Sequence, residues 1–238
     1  MSRIKANHSS LADYHFNNAR AFVLGNEDDI QNAAVSGYSS IPTLKYESYA
    51  RFHSDIRSRR IDRSIRTVMY DPELWPATPY REKRDPKRYM RQFANLAHVH
   101  GYIVINGPSR DLVNARFAYC RRRSGETLSR AYLRCRIAAE GARYADVFTI
   151  QAQVHENDAS RYRRFVRAAR DQARMANPHV VVLSNLATSP HGFVATPRML
   201  WRAHRAVEDI VEGHALTVNA HEYRIAEEFL RMLQAAEE

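Results

Sequence analysis

The chain has 238 residues, 45% of them hydrophobic, with 36 basic and 26 acidic side chains and a net charge of +10. That length and apolar content suit one α/β domain, read here as a single unit over 1–238. No run of about 18 apolar residues exists, which argues against a membrane-spanning helix, and the polar, basic stretch Met1–Arg20 lacks the apolar core of a secretory signal, so a cytoplasmic protein is expected.

In chain order, residues 1–20 read as a flexible or capping segment before the first strand. Short β-branched runs then recur: "AFVLGN" (21–26), "PTLKYE" (42–47), "TVMYD" (67–71), "YIVIN" (102–106), "DVFTIQAQ" (146–153), "VVVLSN" (180–185) and "ALTVN" (215–219). Most are apolar until their last residue or two and then turn polar, as a parallel strand buried on both faces should. Amphipathic stretches lie between them. Asp85 and Pro86 open a helix carrying Tyr89, Phe93, Leu96 and Ala97, which Gly101 closes. Asp158 or Ser160 caps a second with Tyr162, Phe165, Val166 and Ala169, ending at Asn177–Pro178. Thr196 with Pro197 opens a third carrying Leu200, His204 and Val207, and a last helix covers about 221–235 with Ile225, Phe229 and Leu230.

Strands alternating with helices predict βα units. The fold expected is a (β/α)8-type TIM barrel, with an eighth strand in 109–125 or reduced to seven strands. The alternative is a doubly wound open parallel sheet. It often carries a glycine-rich phosphate loop after its first strand, whereas this chain reads "GNEDD" there. The barrel is preferred because polar residues follow nearly every strand, and barrel sites lie at the C-terminal strand ends.

Those strand ends collect Asn26, Glu47, Asp71, Glu73, Asn106, Gln151, Gln153, Asn185 and Asn219, a set rich in carboxylates and amides. In "TVMYDPELWPATP" (67–79), Asp71 and Glu73 are two residues apart and point the same way in an extended segment, with Pro72 fixing the backbone between them. Glu47 ends the neighbouring strand. Crowded carboxylates raise one another's pKa, and Trp75 supplies an apolar wall that favours a protonated acid or stacks on a sugar ring. Glu73 is therefore the expected general acid, with Asp71 or Glu47 as its ionised partner. The competing reading makes Asp71 a helix cap and Glu73 a first-turn residue. Gln151 and Gln153 share one strand face as substrate-binding candidates, joined by Trp75, Asn106, Asn185 and Asn219.

Other chemistries find less support. His155, His191, His204, His214 and His221 show neither HxH nor HExxH spacing, so no histidine metal site is expected. No cofactor is expected either, a magnesium ion on Glu47, Asp71 and Glu73 being the less favoured alternative. No GxSxG marks a serine nucleophile. Cys120 and Cys135 lack metal or disulfide spacing and read as two reduced thiols. Only four of the 36 basic residues are lysine. Arg161, Arg163, Arg164, Arg167, Arg170 and Arg174 mix with Asp158 and Asp171 along one helix, a solvated face rather than a nucleic-acid reader.

Taken together, "VMYDPELWPATP", "YMRQFANLAHVHGYIVINGPSRDL", "ADVFTIQAQ" and "HVVVLSNLATSP" resemble segments of uncharacterised bacterial glycosidase-like (β/α) barrel proteins over about 65–220. The resemblance implies a barrel with its mouth lined by Asp71, Glu73, Gln151 and Asn185. Glycosidase-like names an architecture, so its function comes by analogy. The DxxDxDxE pattern of chitinases is absent. The expectation is an enzyme using paired carboxylates for metal-independent acid/base chemistry (hydrolase, lyase or cyclase type) on a small polar or sugar-like substrate. The alternative is a non-catalytic barrel binding an anionic small molecule or nucleic acid. No membrane partner is expected.

Overall fold

The computed structural model describes residues 9–17, 19, 21–25, 39–115, 119–190, 192–219 and 221–238. Each expected run forms a strand: β1 (Phe22–Gly25), β2 (Ile41–Tyr46), β3 (Thr67–Tyr70), β4 (Ile103–Asn106), β5 (Val147–Ile150), β6 (Val181–Ala187) and β7 (Gly213–Thr217). All pair in parallel, in the order β1-β2-β3-β4-β5-β6-β7. A doubly wound sheet reverses its strand order at a switch point. Here every crossover steps to the next strand in the same direction, so the seven described strands form a curled half-barrel and the doubly wound alternative falls. Residues 110–114 form a 3-10 turn rather than an eighth strand, and 116–118 lie outside the described residues, as does Asn26.

Nine helices are described: α1 (Ser9–Phe16), α2 (Tyr49–Arg57), α3 (Tyr80–Arg84), α4 (Pro86–Val99), α5 (Leu128–Arg134), α6 (Ile137–Ala142), α7 (Ala159–Ala176), α8 (Pro197–Arg205) and α9 (Tyr223–Glu237). The caps decide where they start. Asp85 accepts from Arg88 N, Asp158 from Arg161 N and Thr196 from Met199 N, each satisfying a donor that a helix leaves unpaired. Gly101, at φ +77°, ends α4 in the left-handed conformation that glycine adopts without strain. Residues 9–16, within the stretch read as flexible or capping, form α1, which packs Leu11 and Ala12 against Leu230 of α9.

The pleat sends alternate side chains to opposite faces. Met69, Ile105, Val147 and Leu183 face inward and meet Phe22 in the barrel interior. Their neighbours Val68, Tyr70, Val104, Phe148 and Val182 face outward into the helix layer. There Phe93 of α4 stacks on Tyr70 at 4.9 Å and 14° and lies 4.3 Å from Phe52 of α2. Burying a ring of this size contributes about 2–3 kcal/mol. Glu82 of α3 is fully buried, yet it accepts from the backbone N–H groups of Tyr49 and Ala50 and from the hydroxyls of Ser48 and Tyr70. It closes the N-terminus of α2, where a carboxylate is favoured.

The cysteines correct an expectation. Cys120 and Cys135 form a disulfide, with Cα atoms 5.4 Å apart, instead of two reduced thiols. The chain from Tyr119 onward folds back on the end of α5: Tyr119 Oη donates to Cys135 O, and Arg134 donates to Arg121 O and to both Glu126 oxygens. This return is a tertiary feature that a separation of 15 residues does not announce. Disulfides persist in oxidising compartments and are rare in the cytosol, which sets the bond against the cytoplasmic expectation. Among the described residues, no helix is long and apolar enough to cross a membrane.

Candidate active site

Inward parity carries a set of polar groups past the apolar barrel floor. β2 places Lys45 and then Glu47 on the same face as Met69, the register partner of Lys45. Asp71 directly follows β3, Gly107 follows β4, Thr149 lies in β5 with Gln151 just beyond it, and β6 presents Asn185. Gly107 makes the gathering feasible, since a Cβ there would lie 2.6 Å from Met69 Cε and 2.8 Å from Thr149 Cγ2. With no side chain in the way, Gln151 crosses the mouth. Its Nε2 donates to Gly107 O (2.8 Å), Asp71 Oδ1 (2.8 Å) and Glu73 Oε1 (3.3 Å).

Asp71 and Glu73 therefore share one amide, and laid end to end those two contacts leave the carboxylate oxygens no more than about 6 Å apart. Neither caps a helix. Asp71 N donates to Tyr46 O, Glu73 N donates to Thr78 Oγ1, and the next helix begins only at Tyr80. On the other side of Asp71, Lys45 Nζ lies 3.4 Å from Asp71 Oδ2 and 3.4 Å from Glu47 Oε1. The ammonium sits where the magnesium alternative would place its ion.

Burial raises the Asp71 pKa from its ordinary value to about 6, even though Lys45 and Gln151 favour the charged form. Glu73 is pushed to about 7, first by burial and then by the negative charges of Asp71 and Asp111. Burial works against the charge on Lys45, but Asp71 and Glu47 outweigh it and its pKa lies above the usual lysine value. At neutral pH the cluster thus holds an ionised Asp71 beside a Glu73 close to half protonated. Groups whose surroundings separate their pKa values in this way can divide acid and base roles.

The remaining candidates divide. Trp75 lies at the rim, 36% exposed, with Lys45 Nζ 5.5 Å from its ring centre. Asn185 Oδ1 accepts from Thr149 Oγ1 within the mouth. β5 ends at Ile150, so Gln153 does not share a strand face with Gln151. It opens a 3-10 turn, where its Oε1 is buried without a partner among the described residues. Asn106 does not join the cluster: it has outward parity, and its Nδ2 donates to Gly141 O in the helix layer. Asn219 is also apart, exposed beyond β7 and accepting from His221 N in a local turn. His191 lies outside the described residues.

The sequence reading missed Lys45, Gly107, Thr149 and Asp111. Lys45 had a signal, since a strand ending in Glu47 puts Lys45 on the same face. Asp111, whose Oδ1 accepts from Leu74 N at 3.1 Å, reaches the site from a 3-10 turn that no periodicity marks. Among the described residues, no group of three or more His, Cys, Asp or Glu side chains is spaced to hold a metal ion.

No known family pattern matches the sequence, and no curated protein matches it. Solved structures do resemble it. One from Bacteroides thetaiotaomicron, assigned as an alpha-L-fucosidase, is 9% identical with a TM-score of 0.50, over 86% of this chain and 73% of that one. The likeness is one of fold, a parallel (β/α) barrel-type sheet. At such identity the likeness extends to architecture alone. A chitinase from Chromobacterium violaceum overlaps less well, at 13% identity and a TM-score of 0.42 over 76% of this chain and 65% of its own.

Proposed function

We propose that this barrel hydrolyses a sugar-like substrate with paired carboxylates, Glu73 as general acid and Asp71 as its ionised partner. The observation that carries the proposal is the Gln151 amide shared by the two carboxyl groups. Carboxyl groups about 5–5.5 Å apart suit a retaining mechanism, whereas inversion needs about 6.5–9.5 Å to admit a water. The amide bridge holds Asp71 Oδ1 and Glu73 Oε1 within about 6 Å, nearer the retaining spacing than the inverting one.

In the first step an Asp71 oxygen bonds to the anomeric carbon as the glycosidic C–O bond breaks. The electron pair of that bond goes to the leaving oxygen, which takes the Glu73 proton. Ionised Glu73 then removes a proton from water, the water oxygen bonds to the anomeric carbon, and Asp71 leaves as a carboxylate. Lys45 keeps Asp71 ionised between turnovers, and Glu47 balances the charge of Lys45. Trp75 offers a stacking face for a sugar ring, while Asn185, Gln153 and Thr149 supply hydrogen-bonding groups for hydroxyls. Every proton and charge in the scheme is carried by the chain itself.

The test is a panel of aryl glycosides against wild type, Glu73→Gln and Asp71→Asn. Removing a positioned general acid costs about 10²–10⁴ in rate, and the loss should be smallest for the most acidic leaving groups, which need least protonation. A Glu73→Gln variant as active as wild type on every leaving group would refute the assignment.

A further inference from the structure

Next to the carboxylates lies a second polar cluster that the scheme does not use. Arg110 opens the 3-10 turn after β4, Ser129 lies in the first turn of α5, and His155 ends the 3-10 turn that begins two residues beyond Gln151. Arg110 Nη1 donates to Ser129 Oγ at 2.9 Å, and Ser129 Oγ is 2.7 Å from His155 Nε2. Phe165 backs both ends, with its ring centre 5.9 Å from the Arg110 guanidinium and 5.5 Å from the His155 ring. The residue after Arg110 is Asp111, which holds Leu74 N and bears electrostatically on Glu73. Asp111 thus links the cluster to the carboxylates.

What is unusual is the charge. Among the described residues, no ion pair within 4.0 Å involves the Arg110 guanidinium, and burial holds its pKa below the ordinary arginine value even though Tyr132 and Asp111 favour its charge. A partly buried cation whose nearest carboxylate, that of Asp111, is not in contact still gains from an anion brought against it. Burial and then Arg110 push His155 down to about 4, so the imidazole is neutral at pH 7 and its Nε2 can accept a hydrogen bond from the Ser129 hydroxyl. The cluster thus has one positive charge, with guanidinium N–H donors still unspent. One charge suits a monoanion rather than a phosphate dianion, and the planar fork of a guanidinium matches the two oxygens of a carboxylate.

We propose that Arg110, oriented by Ser129 and His155, seats a carboxylate of the substrate, so that the substrate class is an acidic, uronate-type sugar. This rests on the carboxylate mechanism above for its reaction, though not for its binding. The position after β4 and β5 is where a barrel places its substrate contacts.

The experiment follows the Arg110 Nε–H signal by NMR, identified by its loss in Arg110→Lys, during titration with acetate, D-glucuronate, D-galacturonate and D-glucose at constant ionic strength. A saturable shift with the carboxylates and none with glucose is expected. Arg110→Gln should weaken uronate binding, read by calorimetry, about tenfold to a hundredfold, while Ser129→Ala weakens it less. No saturable shift with any carboxylate, or an equal response to glucose, overturns the proposal. Glu73→Gln separates the two readings. If it retains the Arg110 shift and no glycoside is turned over by wild type, the carboxylate mechanism fails and the anion seat stands. If wild type cleaves neutral glycosides and Arg110→Gln leaves that rate and uronate binding unchanged, the anion seat fails and the mechanism stands.

Discussion

Replacing Glu73 with glutamine should make the protein more stable at pH 8 while removing its proposed acid. Folding raises the Glu73 pKa from 4.5 to about 7, and each unit corresponds to 1.36 kcal/mol between the two protonation states. The unshielded figure is about 3.4 kcal/mol, reduced to about 2 kcal/mol because the carboxyl is partly open to solvent. The folded state holds this proton more tightly than the unfolded state does, so stability falls as pH rises from about 4.5 to 7 and the full cost is present above that. Glutamine retains an oxygen for Gln151 Nε2 and carries no charge. Urea unfolding of wild type and Glu73→Gln should therefore show the variant about 2 kcal/mol more stable at pH 8, with about three quarters of that gain gone at pH 5. A residue placed to hold the loop would behave in the opposite way. A variant destabilised to the same extent at both pH values would refute the electrostatic reasoning and return Glu73 to a structural role.

Gln151→Leu removes the amide that bridges the carboxylates and leaves Gly107 O and Asp71 Oδ1 short of a donor; it should cost about 1–3 kcal/mol in urea unfolding and move the acid limb of the pH–rate profile upward, since the Asp71 anion loses a hydrogen bond. Cys120→Ser should cost about 3 kcal/mol under oxidising conditions and almost nothing once wild type is fully reduced, as expected for a cross-link closing a loop of about 15 residues; equal midpoints before and after reduction would count against the bond. Phe93→Ala, which empties the space between Phe52 and Tyr70, should lose about 3–5 kcal/mol without altering the pH profile of whatever protein remains folded.

The strands were legible because each is a short β-branched run, and the long helices because α4, α7 and α8 carry Asp or Thr caps and proline or periodic apolar positions at their starts. Strand lengths were less so. "DVFTIQAQ" continues its alternation to Gln153, yet the chain leaves the sheet at Ile150 because Gln151 turns across the mouth toward Asp71. The disulfide was hidden for a different reason. Its halves meet only after α5 folds against the 119–123 segment, and nothing local at Cys120 or Cys135 records that return.

Asn106 and Gly107 show what separates a strand-end residue from a site residue. Asn106 ends β4 and Gly107 follows it, and composition alone favours the asparagine, which offers side-chain donors and acceptors where glycine offers none. Parity decides otherwise. Ile105 pairs with Met69 and Val147 and lies in the barrel interior, so Asn106 must turn outward and Gly107 inward. The same count from Met69 sends Asp71 inward, from Val147 sends Thr149 and Gln151 inward, and from Leu183 sends Asn185 inward. At Gly107 the inward position is useful because it is empty: the absent side chain lets Gln151 reach Gly107 O and both carboxylates at once. The polar residues of a barrel mouth can therefore be sorted by their distance from an interior apolar residue, and a glycine of the right parity marks where a neighbouring side chain crosses. Gly107→Ala tests this directly. Its new methyl group would meet Met69 and Thr149 inside ordinary contact distance, displacing Gln151, whose amide favours the ionised Glu73, so it should enlarge the pH-dependent gain of Glu73→Gln. A gain no larger in the Gly107→Ala background than in wild type would show that the carboxylates are set by their own strand and not by the crossing amide.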